Sequence, residues 1–266
     1  MAIVSLITDF GNQDWFAGTM KGVILVINPH ATVVDITHEI PPGDIRAGAF
    51  ALAASCRFFP KGTVHIAVVD PGVGSGRKAI VVQTSNYLFV GPDNGVLSWA
   101  LAKEKVKTVR ALDNQEFFLQ PVSQTFHGRD IFAPVAGHLS CDVPLRRFGP
   151  ALKDFVRLAW PEAKRAGDII RGEVVYVDRF GNAITNIDAR ALGAGRAELF
   201  AGRRRLCHVG AYYQAVPKGK PVAVLGSSGF LEISVNGGNA ARGLALRIGN
   251  VVTLRTRRDK SWPYSP

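Results

Sequence analysis

Cysteine is scarce in this 266-residue chain, and the three that occur stand apart: Cys56, Cys141 and Cys207 are odd in number and form no CxxC pair. That spacing argues against a disulfide framework and against a structural zinc site, and a reducing, cytoplasmic setting is the expectation. The six histidines form no HxxxH or HxH pair, so no metal centre is expected. No stretch approaches eighteen uninterrupted apolar residues, which leaves no candidate for a membrane span. The opening MAIVSLITDF lacks the basic start, long apolar run and cleavage site of a signal peptide, and Asp9 interrupts it early. Acidic residues are in deficit, 21 against 32 lysines and arginines, for a net charge of +11. The excess invites a nucleic-acid reading. It is concentrated in Arg203-Arg204-Arg205 and the tail RTRRDKSWPYSP, however, and neither interleaves aromatic residues as a base-stacking surface does. A basic surface on a soluble protein is the favoured reading, with neither nucleic acid nor membrane as an expected partner.

What the chain does have is a core: 47% of its residues are hydrophobic and 20% charged. In the first 160 residues, strand-like and helix-like segments alternate. AIVSLIT (2–8) reads as a buried strand, and WFAGTMKGVILVIN carries apolar residues at helical spacing until Asn28-Pro29 stops it. ATVVDIT is a second strand; Asp44 then caps the helix IRAGAFALAASCRFF. TVHIAVVD, KAIVVQTS and YLFVGP are further strands, and GVLSWALAKE is helical. This alternation predicts a largely parallel α/β domain over 1–160. LKDFVRL is a last helical window, and the charged, aperiodic stretch 161–172 reads as a linker. Over 173–266 seven short strands follow: GEVVYVD, NAITNI, AELFAG, RRLCHV, PVAVLG, FLEISV and NVVTLR. They predict a smaller all-β domain, a barrel or sandwich.

Ligands in open parallel sheets sit outside the carboxyl ends of the strands. Three predicted strand ends carry acids there: ITDFGNQD with Asp9 and Asp14, VVDPGVGSGR with Asp70 and Arg77, and VGPDNG with Asp93 and Asn94. Asp9 is placed to accept hydrogen bonds from a ribose diol, or to cap the next helix; Asp14, just before that helix, is the more ambiguous. VVDPGVGSGRKAI is not a phosphate loop, because no Lys-Ser or Lys-Thr follows the glycines and a strand rather than a helix comes next. Two readings stay open for it: a glycine-rich hairpin pairing Asp70 with Arg77, or a functional turn. An acid at the end of a buried strand favours the second. In QTFHGRDIFAP, Asp130 reads as a helix cap and Arg129 as its surface partner, while His127 is a proton-transfer candidate. In the β half, DRFGNAITNI and LGSSGFLEISVNGGNAA offer amides, hydroxyls and exposed backbone. Recognition of a purine edge or an amino-acid zwitterion is one reading, and ordinary hairpin turns are the other.

Taken in order, ITDFG, VVDPGVGSGRKAI, GPDNGVL, TFHGRDIFAP, DRFGNAITNI and GSSGFLEISVNGGNAA resemble the S-adenosyl-L-methionine hydroxide adenosyltransferase family, over nearly the whole chain. The resemblance implies an α/β domain followed by a β-barrel. It also implies a homotrimer, with each site between one subunit's first domain and its neighbour's second. The implied reaction is attack of water or hydroxide on C5′ of S-adenosylmethionine, with the sulfonium compound as substrate and no cofactor. It places the family's Asp, Arg and His triad on Asp70, Arg77 and His127. Asp9 would receive the ribose hydroxyls, with Asp70 close by. Asn182, Ser227, Glu232 and the backbone at Val235 would hold the adenine and methionine ends, Phe180 would supply an apolar wall, and Asp14 would lie near the methionine amino group. In the halogenating relatives other residues stand at the aspartate and histidine positions. This chain keeps all three residues and lacks the fluorinating enzyme's insertion after the strand beginning at Lys78, so water is the expected nucleophile.

Overall fold

The first apolar run forms β1 (Ile3–Thr8), a strand whose last five residues are all buried. In this computed structural model residues 2–191 and 195–258 are described, and the chain divides into two units between Ala159 and Trp160. The end of the basic tail, residues 259–266, lies outside the described residues. In the first unit β1 is followed by α1 (Phe16–Ile27), β2 (Thr32–Thr37), α2 (Ile45–Ser55), β3 (Val64–Val68), β4 (Ala79–Thr84), β5 (Leu88–Pro92), α3 (Ser98–Leu101), β6 (Val106–Ala111) and α4 (Ala133–Ser140). Asp44 caps α2, its Oδ1 accepting the Ala47 N–H at 2.9 Å.

The strand order is β2-β1-β3-β5-β4-β6. Its first three ladders are parallel, and the two involving β4 are antiparallel. The sheet is thus mixed, because β4 and β5 are joined by a tight connection that a parallel pair could not use. Successive residues of the central strands face opposite sides, and both sides are covered. Val4, Leu6, Ile66 and Val68 pack against Met20 and Ile24 of α1 and Val135 and Leu139 of α4. LKDFVRL is not helical: it runs as an extended strap held by Asp93 Oδ1 on the Val156 N–H (2.7 Å) and by Ser98 Oγ on the Leu158 N–H (2.8 Å).

His65 lies on the other side of the sheet, fully buried among the rings of Phe59, Tyr87 and Phe89. Its Nδ1 is 2.6 Å from Ser5 Oγ, and its Nε2 is buried with no partner among the described residues. Burial pushes its pKa down from 6.5 to about 4. The unfolded chain therefore binds a proton that the folded chain refuses between those values. The stability that neutral His65 contributes is complete above pH 6.5 and is lost as pH falls towards 4, by about 3 kcal/mol. Urea midpoints measured at pH 7 and pH 4.5 should fall further apart in the wild type than in His65→Gln; an equal drop in both would contradict this assignment.

The second unit contains β7 (Lys164–Ala166), β8 (Ile169–Val177), β9 (Ala183–Asp188), β10 (Gly195–Ala201), β11 (Arg204–His208), β12 (Pro221–Leu225), β13 (Phe230–Val235), a short helix α5 (Ala240–Gly243) and β14 (Val251–Arg258). Its ladders are antiparallel in the order β11-β10-β14-β8-β9-β13-β12, with β7 added on β8. A bridge between Val209 and Ala223 brings the two ends of that order together, so the sheet nearly closes on itself. All seven predicted strands are present. The stretch 161–172 is not a free linker: β7 and the start of β8 form a hairpin within it. Its charged residues are all exposed, and Ile170 is the buried hydrophobic residue that the charge run conceals. No helix among the described residues is long and apolar enough to cross a membrane.

Candidate active site

β1 and β3 are parallel neighbours with Thr8 opposite Val68, so the acids that follow them, Asp9 and Asp70, emerge at the same edge of the sheet. Burial raises the pKa of Asp9, a hydrogen bond from the Gly43 N–H (2.8 Å, to Oδ2) opposes that, and the charge of Asp70 adds to the rise. The glycine stretch after β3 is no hairpin, since β5 lies between β3 and β4. Residues 69–78 instead carry the chain across the end of β5. Asn94 Nδ2 donates to Val69 O (2.8 Å) and the Asp93 N–H to Lys78 O (2.8 Å), which ties the crossing to the turn after β5.

One glycine in the crossing has a specific task. Gly74 has φ +76°, and a Cβ on it would lie 2.3 Å from the carbonyl oxygen of Gln124. The loop carrying Asp70 and Arg77 therefore docks directly on the segment that leads to His127. Arg77 joins the two. Its Nε donates to Asp70 Oδ2 (2.9 Å) and more weakly to Oδ1 (3.1 Å), and its terminal nitrogen donates to Oδ2 and to His127 Nδ1 (2.7 Å). The guanidinium also lies over the Phe132 ring at 5.5 Å, and the side chains of Asp70 and Arg77 are only 4% and 10% exposed. A guanidinium has no acceptor, so Nδ1 of His127 must be the unprotonated nitrogen and Nε2 carries the hydrogen. The electrostatics agree: burial first, and then the charge of Arg77, lower the His127 pKa against the opposing pull of Asp70 and Asp130.

Asp130 is not a surface helix cap. It is fully buried in a widened turn over Gly128–Phe132, accepting from Arg129 Nε (2.6 Å) and from the Ser123 N–H (2.8 Å). It thus braces the irregular segment that leads to His127 rather than capping the start of a helix. Asp14 is exposed and lies just before α1; Trp15 beside it is 70% exposed.

The second unit assembles its own polar group. Asp178 and Asn182 close a turn through Asn182 N–H to Oδ1 (2.8 Å) and Asn182 Nδ2 to Oδ2 (2.9 Å). Gly181 within it has φ +84°, and a Cβ there would meet the Asn239 side chain at 2.1 Å, so DRFGN and NGGNAA are packed face to face. Glu232 is buried and accepts a short hydrogen bond from the Tyr213 hydroxyl. Burial and the nearby charge of Asp178 raise its pKa, while the Tyr213 bond works the other way. Gly226 lies against the same carboxylate, where a Cβ would meet Glu232 Oε2 at 2.3 Å. Ser227 is exposed, Val235 is half-buried and its carbonyl accepts the Gly238 N–H (2.9 Å), and Phe180 is 76% exposed. Tyr213 had no signal in the sequence, because its link to Glu232 joins a loop to a strand nineteen residues away.

These features define a two-domain protein, α/β then antiparallel β, with an acid–guanidinium–imidazole cluster at the carboxyl edge of its first sheet. Residues 4–149 match the model of the SAM hydroxide adenosyltransferase N-terminal domain, and residues 172–253 match that of the C-terminal domain. The chain belongs to the SAM hydroxide adenosyltransferase family. It is 40% identical over 250 residues to an (R)-S-adenosyl-L-methionine hydrolase of Salinispora arenicola, covering 93% of this chain and 95% of that one. A fluorinase of Actinoplanes is more distant, at 26% over 292 residues, 95% of this chain and 97% of the relative. An uncharacterized conserved protein from Thermotoga maritima, known from its crystal structure, superposes with a TM-score of 0.89 at 37% identity, over 96% of this chain and all of the other.

Proposed function

We infer that this protein hydrolyses S-adenosyl-L-methionine to adenosine and L-methionine by attack of water at C5′. The observation that carries the reading is the single guanidinium of Arg77 bonded to both Asp70 and His127. Sulfur already bears a positive charge, so methionine leaves as a neutral thioether and needs no acid. As the O–C5′ bond forms, the C5′–S pair returns to sulfur and the water must lose one proton. Water in bulk has a pKa of about 15.7, so orientation and a proton acceptor are what the protein has to supply.

The hydrogen-bond pattern divides those tasks. His127 Nδ1 is occupied by an Arg77 donor, which leaves the ring able to donate from Nε2 to the water oxygen and unable to take its proton at Nδ1. Asp70 Oδ1 carries only the longer contact to Arg77, so Asp70 is the acceptor in this reading. Arg77 fixes both groups and offsets the negative charge that develops on the attacking oxygen. We assign Asp9 to the ribose hydroxyls. Asn182, Ser227, Glu232 and the Val235 backbone take the adenine and methionine ends, Phe180 an apolar wall, and Asp14 the methionine amino group. No cofactor enters the scheme. A homotrimer belongs to the same reading, as does a reducing, cytoplasmic setting, with which three unpaired cysteines agree.

The distant fluorinase likeness supplies the rival reading, transfer to a halide, and the complete triad opposes it. With S-adenosylmethionine and excess chloride, liquid chromatography should show adenosine as the dominant product. A dominant 5′-chloro-5′-deoxyadenosine peak would replace hydrolysis with halide transfer.

A further inference from the structure

The segment HEIPPG, after β2, reads in the sequence only as a turn, yet it grips the Asp9 turn at several points. His38 O accepts the Gly11 N–H (2.7 Å), the Ile40 N–H reaches Thr8 O (3.4 Å), and the Gly43 N–H reaches Asp9 Oδ2 (2.8 Å). Asn12 Nδ2 donates to Glu39 Oε1 (2.7 Å). The remaining tie is between two buried side chains: Thr8 Oγ1 and His38 Nδ1 are 2.8 Å apart, with Thr8 0% and His38 2% exposed. The far side of the ring faces an acid, Nε2 lying 3.0 Å from Asp35 Oδ1, off the line of a good hydrogen bond. Lys21 Nζ holds the other oxygen of Asp35 at 2.5 Å. A ring nitrogen facing a carboxylate at that distance carries its hydrogen, so Nδ1 is the acceptor and the Thr8 hydroxyl donates to it.

We propose that His38 is a positioning residue that sets Asp9 for the substrate ribose, acting through the Thr8 hydroxyl; this rests on the assignment of Asp9 to the ribose. Valine would fill the threonine's space but leave His38 Nδ1 and the Phe10 N–H without their partner, so the pair contributes to stability as well, and thermal melts separate that loss from the loss of positioning. What the pair adds is a fixed register. Thr8 is the residue directly before Asp9, and its Oγ1 also receives the Phe10 N–H (3.3 Å), so the bond to His38 fixes the backbone on both sides of the carboxylate. The same segment then supplies the Gly43 donor to that carboxylate. The ring and the amide act on Asp9 from one rigid piece of chain.

The test is steady-state kinetics on S-adenosylmethionine, with thermal melts, for Thr8→Val, Thr8→Ser and His38→Gln, and for Thr8→Val combined with Asp9→Asn. Losing one hydrogen bond that holds a binding group should raise KM about three- to tenfold in Thr8→Val and His38→Gln. Their kcat should stay within about twofold of wild type, since ground state and transition state bind the ribose alike. Thr8→Ser, which keeps the hydroxyl, should keep KM. On top of Asp9→Asn, the valine should add no further rise, because its effect passes through the carboxylate. A rise of the same size in both backgrounds, or none in either, overturns the proposal and leaves His38 a structural residue. Asp9→Asn with an unchanged KM is a different failure: it removes the ribose assignment, and the proposal with it.

Discussion

Asp70→Asn should lower kcat for S-adenosylmethionine hydrolysis by about two to four orders of magnitude while leaving substrate binding, read by calorimetry, within a few-fold of wild type. Asparagine keeps the shape and still accepts from Arg77 Nε, but it cannot take the proton that the attacking water sheds. His127→Gln should cost less, about tenfold, because its amide preserves a donor near the Nε2 position and loses only the fixed geometry. The contrast follows from the direction of one hydrogen bond, Arg77 to His127 Nδ1, which keeps the ring in its donor form. Were histidine the base, the ranking would reverse, with His127→Gln falling as far as or further than Asp70→Asn.

Gly74→Ala should be nearly as damaging, although the added methyl group touches no substrate. A side chain at φ +76° costs about 1–2 kcal/mol, and the new Cβ would press on the Gln124 carbonyl at 2.3 Å. The chain relieves this by moving the Asp70–Arg77 loop away from the His127 segment, which lengthens the bonds made by Arg77. A displacement of about 1 Å at a reacting centre costs about a hundredfold in rate, and that is the expected loss in kcat. Gly76, three residues before β4 begins at the buried Ala79, is the control: a Cβ there meets nothing within 4 Å, and Gly76→Ala should lose less than threefold, roughly the scale of a surface change. Equal losses at the two positions would show that loop flexibility, and not docking on Gln124, is what the glycines provide.

The parts of this architecture that depend on near neighbours were legible in the sequence. Seven short strands of the second unit, the Asp44 cap and the acids at the ends of β1 and β3 all follow from local pattern. The parts that failed depend on partners far along the chain. Charge hid the β7–β8 hairpin, because only its inward residues, such as Ile170, report burial. LKDFVRL has helical spacing, but Asp93 and Ser98 take its backbone N–H groups and hold it extended. The crossing over β5 could not be told from a hairpin, since nothing in VVDPGVGSGRKAI says which strand lies between its flanks. For the candidate site, the residue types were visible and their division of labour was not. Asp70, Arg77 and His127 stood out; that Arg77 donates to the imidazole, and that Gly74 allows the two segments to touch, are facts of packing across fifty residues.

The central claim is that water forms a bond to C5′ while sulfur leaves, and oxygen-18 reports on it directly. Turnover of S-adenosylmethionine in H₂¹⁸O, followed by mass spectrometry of the isolated adenosine, should show one ¹⁸O at the 5′ position and none in methionine. Adenosine without label, or no adenosine at all, would contradict the account.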